Sequence, residues 1–259
     1  MNIKKAAILA ALGLGFGMAQ AASVITINWT DGGSGAGNAN ATNTAGVVPG
    51  AWINTVSSNA QAKNNTDVTS LFDNTGASSG VSITASGWNA GSWMSNITGY
   101  NGPSGTNQSD KMMENYADTS SGTITFSGLN NWLTTVGATS YDVYYYSERT
   151  ANQYSGSISV GSQKYFLSNG SSGSSGNGPF ALGTDTTLAS AVANVDTANY
   201  VKFSGVAGDS FTMNVARDGG SGWIDLNGVQ IVAVPEPSST LRVIGVFGLG
   251  LLQRRRRCQ

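Results

Sequence analysis

Apolar and polar residues alternate with a period of two in short runs along this chain, and glycine, serine, asparagine and threonine fill the stretches between them. Ile124 and Phe126 alternate with Thr123, Thr125 and Ser127, while Phe211, Met213 and Val215 alternate with Thr212 and Asn214. Successive side chains of a strand point to opposite faces, so this pattern predicts strands with one buried face. Strands are predicted at 24–29, 68–72, 81–88, 123–129, 141–147, 157–160, 163–167, 200–204, 210–216 and 223–232. Tyr141, Val143 and Tyr145 share one face of their strand; Asp142, Tyr144, Tyr146 and Glu148 share the other, and its charges mark the first face as core. In the last strand Ile224 and Leu226 are out of phase with Val229 and Ile231, which predicts a bulge at Asn227-Gly228. A hairpin there would leave two strands of only about four residues. Helical periodicity is confined to 130–136 and to Leu188, Val192 and Val195.

Many short strands with no repeat of 20–50 residues predict an all-β fold, one antiparallel β-sandwich of jelly-roll-like form with long Gly/Ser/Asn loops. Its predicted core includes Ile124, Phe126, Tyr141, Val143, Phe211, Met213, Ile224 and Ile231. The Gly/Ser-rich tract 168–178 has strand patterns on both sides, so it reads as a surface loop of one domain, as do 31–50 and 99–109.

The two ends have a different grammar. Lys4 and Lys5 precede an uncharged run from Ala6 to Met18, and Ala19-Gln20-Ala21 places small residues at both specificity positions of a signal-peptidase site. Residues 1–21 therefore read as a signal peptide with a helical core, leaving 22–233 as the β domain and 234–259 as a tail. In the tail, Pro235 and Pro237 hold the backbone around Glu236 extended. An apolar stretch from Leu241 to Leu252, broken by Arg242, follows as a short helix, and then come Arg254, Arg255, Arg256 and Arg257. The arginines would stay cytoplasmic and orient that helix. This order of Pro-Glu-Pro, apolar segment and arginine cluster resembles the PEP-CTERM sorting signal. The resemblance implies recognition by an exosortase-type membrane protease, at least transient anchoring in the inner membrane, and a destination in the envelope, cell surface or extracellular matrix of a bacterium that builds extracellular polysaccharide.

Composition narrows the chemistry of the middle. With the ends set aside, residues 22–233 hold 6 basic against 13 acidic residues, a net of −7, which lacks the basic footprint of a nucleic-acid binder. The chain has no histidine, and its one cysteine, Cys258, lies beyond the arginine cluster. Serine and cysteine triads and the usual zinc sites are thereby excluded, and no Gly-rich phosphate loop joins a strand to a helix. The expectation is a non-enzymatic domain without an organic cofactor. Carboxylates remain, so the alternative is a polysaccharide hydrolase or lyase using two of Glu114, Glu148 and the aspartates. Asp209, Asp218 and Asp225 are candidate ligands for a structural calcium ion.

Aromatic side chains supply the other chemistry. Trp88 and Trp93 bracket a polar tetrapeptide and Tyr100 follows it, while Tyr144 and Tyr146 lie on the outer face of their strand. A flat ring beside amide and hydroxyl groups suits a sugar, so these five are candidate glycan contacts. The strings Tyr141–Tyr146 and Ile224–Val232 resemble strands of galactose-binding-like jelly rolls, which implies a sandwich and carries no ligand residue with it. The expected roles are therefore polysaccharide or protein contact by an exported domain, or a structural or adhesive surface subunit with no small ligand. N-terminal sequencing of exported material should find Ala22 first; a start at Met1 in envelope fractions would contradict the signal reading.

Overall fold

The structure, a computed structural model, describes residues 22–30, 45–48, 53–57, 66–68, 70–90, 109, 112–113, 116–148, 154–169, 179–195, 197–220 and 223–236. The period-two runs form strands in it, and two six-stranded sheets take up most of them. Elements run in the order β1 (Val24–Thr30), β2 (Ile53–Ser57), β3 (Thr66–Val68), β4 (Ser82–Ser86), β5 (Asn89–Ala90), β6 (Ala117–Thr119), β7 (Ser121–Ser127), α1 (Leu129–Thr135), β8 (Ala138–Tyr146), β9 (Tyr154–Val160), β10 (Gln163–Asn169), β11 (Leu182–Gly183), α2 (Leu188–Ala193), β12 (Tyr200–Val206), β13 (Ser210–Gly220), β14 (Ile224–Leu226) and β15 (Gly228–Pro235). The first sheet has the order β11-β12-β8-β15-β1-β2 and the second β10-β9-β13-β7-β4-β3; β14, β6 and β5 form a smaller third.

Inward-facing residues of the two large sheets meet in one apolar core. Ile25, Ile27, Tyr141, Val143, Val229 and Ile231 come from the first sheet, and Ile83, Ile124, Phe126, Phe211 and Met213 from the second. Phe126 stacks on Phe211 with ring centroids 4.8 Å apart, and Tyr141 reaches across to Phe211 at 5.4 Å. Tyr165 and Phe203 make a second contact between the sheets, also at 5.4 Å. All eight core residues predicted from the alternation are buried. Each such side chain contributes roughly 1.5–3 kcal/mol through burial.

Besides the strand read at 68–72, of whose described residues only Val68 lies in a strand, β3, three features depart from the sequence reading. The edges of the first sheet are parallel, β1 with β2 and β11 with β12. Parallel neighbours need a long crossover, and the connection from β11 to β12 carries α2. Leu129 does not end a strand but opens α1. Gly128, at φ 85°, breaks β7, and a Cβ there would meet the Gly80 carbonyl oxygen at 2.7 Å. Because Gly128 offers α1 no side-chain cap, Asp209 supplies one from the β12–β13 turn. Its carbonyl accepts from Leu129 N at 3.0 Å, and its Oδ1 accepts from Asn130 N at 3.0 Å.

The third departure is at Asn227, which is neither bulge nor hairpin turn. β14 pairs with β6 in the third sheet and β15 pairs with β1 in the first, so the phase change marks a strand passing from one sheet to another. Asn227 is held on every side at this crossing. Its Nδ2 donates to Met113 O at 2.7 Å and its Oδ1 accepts from Glu148 N at 2.7 Å. Its backbone N donates to Tyr146 O, and its carbonyl accepts from Trp29 N, both at 3.0 Å.

The outer face of the first sheet is covered as well. Gln230, fully buried on β15, donates through Nε2 to Thr26 Oγ1 at 3.0 Å, Ala45 O at 2.9 Å and Val48 O at 2.7 Å. Its Oε1 accepts from the Tyr146 hydroxyl at 2.6 Å and from Val48 N at 3.2 Å. Gly46, at φ +89°, lets the segment lie this close, since a Cβ there would collide with the Gln230 amide. Removing that amide leaves several buried groups without partners, each costing about 1–3 kcal/mol. Gln230→Ala should therefore lower stability by roughly 3–4 kcal/mol in urea denaturation, as a shift of midpoint; a loss below about 1 kcal/mol would contradict the role given to this side chain.

Candidate binding site

Across β4, β7 and β13 the outer face of the second sheet carries a band of hydroxyls, and Lys164 and Phe166 of β10 share that face. Alternation that buries Ile124, Phe126, Phe211 and Met213 inward turns Thr123, Thr125, Thr212 and Asn214 outward, and β-branched threonine suits an exposed strand. Register aligns these residues in rows across the strands. Thr84, Thr125 and Thr212 form one row, and Ser82, Ser127 and Ser210 a second. In a third row Ser86, Thr123 and Asn214 continue to Ser159. Neighbouring members of a row lie about 4.8 Å apart, and successive rows about 6.7 Å. Thr125 and Thr212 share a hydrogen bond of 2.9 Å between their hydroxyls, so the row holds a fixed geometry.

A difference in strand length makes a groove beside this face. β9 ends at Val160, opposite Met213, while β13 begins three residues earlier at Ser210. The notch, with a volume of about 470 Å³, lies between the β9–β10 turn at Gly161-Ser162, the end of β12 at Val206-Ala207, and β13. Val160, Val206 and Phe211 give it apolar surface; Ser162, Gln163, Ser210, Thr212 and Asn214 give it polar surface. No lining residue is ionisable. Gln163 fixes one wall, its Nε2 donating to Ser204 O at 3.0 Å and its Oε1 accepting from Ser204 N at 3.1 Å. From the other side Asp142 Oδ1 accepts from Gly205 N at 2.9 Å while its Oδ2 pairs with Lys202 at 2.7 Å. The irregular stretch of β12 between Phe203 and Val206 is thus clamped from both sheets. Phe211 is 7% exposed.

No family model, curated protein or solved structure matches this chain.

Three of the aromatic residues singled out in the sequence, Trp88, Tyr144 and Tyr146, lie elsewhere. Trp88 is buried, with its indole N–H donating to Thr123 O at 3.0 Å. Tyr144 and Tyr146 do occupy the outer face of the first sheet, but that face is covered. Tyr144 is 8% exposed and lies beside Tyr200, with Lys202 Nζ 5.4 Å from its ring centre. Tyr146 is fully buried, packs edge-on against Phe180 and binds Gln230. Trp93 and Tyr100 lie outside the described residues, as do Ala19, Ala21, Pro237, Arg254, Arg255, Arg256 and Arg257. Of the tail, Pro235 ends β15 and Glu236 follows it, exposed.

Glu114, one of the candidate catalytic carboxylates, lies outside the described residues. Asp118 and Asp225 face each other across the β6–β14 ladder, but Asp225 is fully buried beneath Tyr145, whose hydroxyl donates to the Asp225 carbonyl at 2.5 Å. Asp209 caps α1 and Asp218 lies exposed on β13, so the three candidate calcium ligands are dispersed. Among the described residues no group of three or more acidic or cysteine side chains could hold a metal ion, and no helix is long and apolar enough to cross a membrane.

The groove was not foreseen from sequence. The Thr/Ser alternation that marks its hydroxyl face was visible there, but only as the polar side of strands; the notch comes from unequal strand lengths.

Burial controls the tyrosines behind these faces. Desolvation pushes the phenols of Tyr145, Tyr146 and Tyr154 well above the ordinary value of 10.0, and Asp225 adds to the effect at Tyr145 and Tyr154. Tyr141 is raised for the same reason, with Asp209 adding to it. A raised folded-state value means these groups favour folding fully below pH 10 and progressively less as pH rises above it. Urea midpoints should therefore be insensitive to these groups near about pH 8 and fall by about pH 11, with phenolate absorbance from the buried tyrosines appearing only on unfolding. Their ionisation while the chain stays folded would contradict the burial.

Proposed function

We propose that this chain is an exported envelope or extracellular-matrix protein, sorted by an exosortase-type system through its tail, whose jelly-roll-like sandwich contacts polysaccharide without catalysing a reaction on it. The observation that carries this reading is the uncharged groove continuous with a hydroxyl-bearing sheet face. A sugar ring presents C–H surface edged by hydroxyls, so a site for it needs apolar patches flanked by neutral donors and acceptors. Val160, Val206 and Phe211 supply the first, and Gln163, Ser210, Thr212 and Asn214 the second.

Export follows from the signal segment, and delivery from the tail. Signal peptidase removes residues 1–21, and the exosortase-type protease recognises Pro235, Glu236 and Pro237 while the apolar segment and Arg254 to Arg257 keep that motif at the outer surface of the inner membrane. The exposure of Glu236 supports its part in recognition. Two measurements in the native host test the reading. Glu236→Ala should leave unprocessed precursor in the membrane fraction without destabilising the domain; unchanged processing would remove the sorting role. The mature chain should also cosediment with the host's extracellular polysaccharide, and its absence from that pellet would argue against polysaccharide contact.

A further inference from the structure

Resting on that reading, we infer that the occupant of this site is an uncharged, linear polysaccharide lying across β4, β7 and β13 and entering the groove. Register decides the direction. The row of Ser86, Thr123 and Asn214 is continued by Ser159 on β9. The rows ending at Thr212 and Ser210 have no β9 residue opposite, because β9 stops at Val160. They run directly into the groove that Thr212 and Ser210 help to line. A linear polymer placed along the row of Thr84, Thr125 and Thr212 meets a hydroxyl at each strand, then apolar surface at Val160, Val206 and Phe211.

Charge decides the class of polymer. Over β4, β7 and β13 these two rows and the groove lining contain no ionisable side chain, so a charged polymer finds no ion-pair partner along that path; the row of Thr84 reaches an acidic position, Asp67, only on the edge strand β3. Lys164, on the β10 edge, has its ammonium 4.7 Å from the centre of the Phe166 ring. The domain as a whole is acidic, with 13 acidic residues against 6 basic over 22–233, and that field disfavours the approach of a polyanion. Serine and threonine hydroxyls each donate and accept, which matches the hydroxyls of a neutral sugar chain.

The test measures retention of the mature chain on three neutral polymers, a linear β-glucan, a xylan and a galactomannan, and on the polyanion polygalacturonate. Retention is compared at low and high salt for the wild type, the double variant T125V/T212V, and T139V as a hydroxyl deletion on the first sheet. Thermal melting confirms that each variant is folded. At least one neutral polymer should be bound with little dependence on salt, since no ion pairs are involved, and the double variant should bind it about tenfold more weakly, while T139V matches wild type. Salt-sensitive binding of polygalacturonate in preference to the neutral polymers would overturn the neutral assignment and leave the polysaccharide reading standing. Binding of a neutral polymer that T125V/T212V leaves unchanged would overturn the placement on these rows, moving the contact elsewhere, and would also leave that reading standing. Retention on none of the four would overturn both.

Discussion

The side-chain amide of Gln230 sets the layering of this molecule. It is buried on a central strand of the first sheet, and it binds β1 through Thr26, β8 through Tyr146, and the backbone at Ala45 and Val48. An unpaired amide in such a place would be costly, so the segment that satisfies it must lie flat on the sheet. Only a group that both donates and accepts can serve the phenol, the carbonyls and the amide N–H together. Thr26, which accepts from Gln230 Nε2, and Asn28 are buried in the same interior layer, where the Asn28 amide has no hydrogen-bond partner among the described residues.

The two large sheets consequently differ. The first is buried on both faces along β1, β15 and the end of β8, with aliphatic and aromatic residues inward and a layer of Gln, Thr, Asn and Tyr outward. The second leaves its outer face open over β4, β7 and the start of β13, where serine, threonine and asparagine stand in register, while Ser155, Ser157 and Ser168 of β9 and β10 are buried on that face. Antiparallel sheets commonly have one solvated face. The clamp on β12 from Gln163 and Asp142 positions the rim of the groove beside that face. The proposed polysaccharide contact falls on the sheet whose outer surface stays open over β4, β7 and β13, while Gln230 holds a cover on the other.

How legible each part was follows from this difference. The runs around Ile124 and Phe211 read cleanly because one face is dry and the other wet. The run Tyr141 to Tyr146 is legible on its inner face, but its outer face reads as open because Asp142 and Glu148 share the phase of Tyr144 and Tyr146. A strand buried on both faces loses alternation as a signal. The phase change at Asn227 was visible, yet nothing local says that Ile224 and Val229 belong to different sheets. The cover at 45–48 is short and Gly/Val in character, with no periodicity to announce it, and only the long-range bonds to Gln230 define it. The groove depends on where β9 stops relative to β13, a property of register that neither strand carries alone. The proposed sorting tail and signal segment rest on residue order, which is a different kind of evidence from packing.

Native-state hydrogen exchange at Val47 and Val48 tests the central claim most directly. Val47 N donates to the Tyr146 hydroxyl at 2.9 Å and Val48 N to Gln230 Oε1 at 3.2 Å, although both residues lie outside any strand. If the cover is integral to the fold, these amides exchange as slowly as those of β8 and β15, through global unfolding. Exchange at the rate of an exposed loop, while β8 and β15 stay protected, would show that the first sheet stands without its cover and would contradict the account.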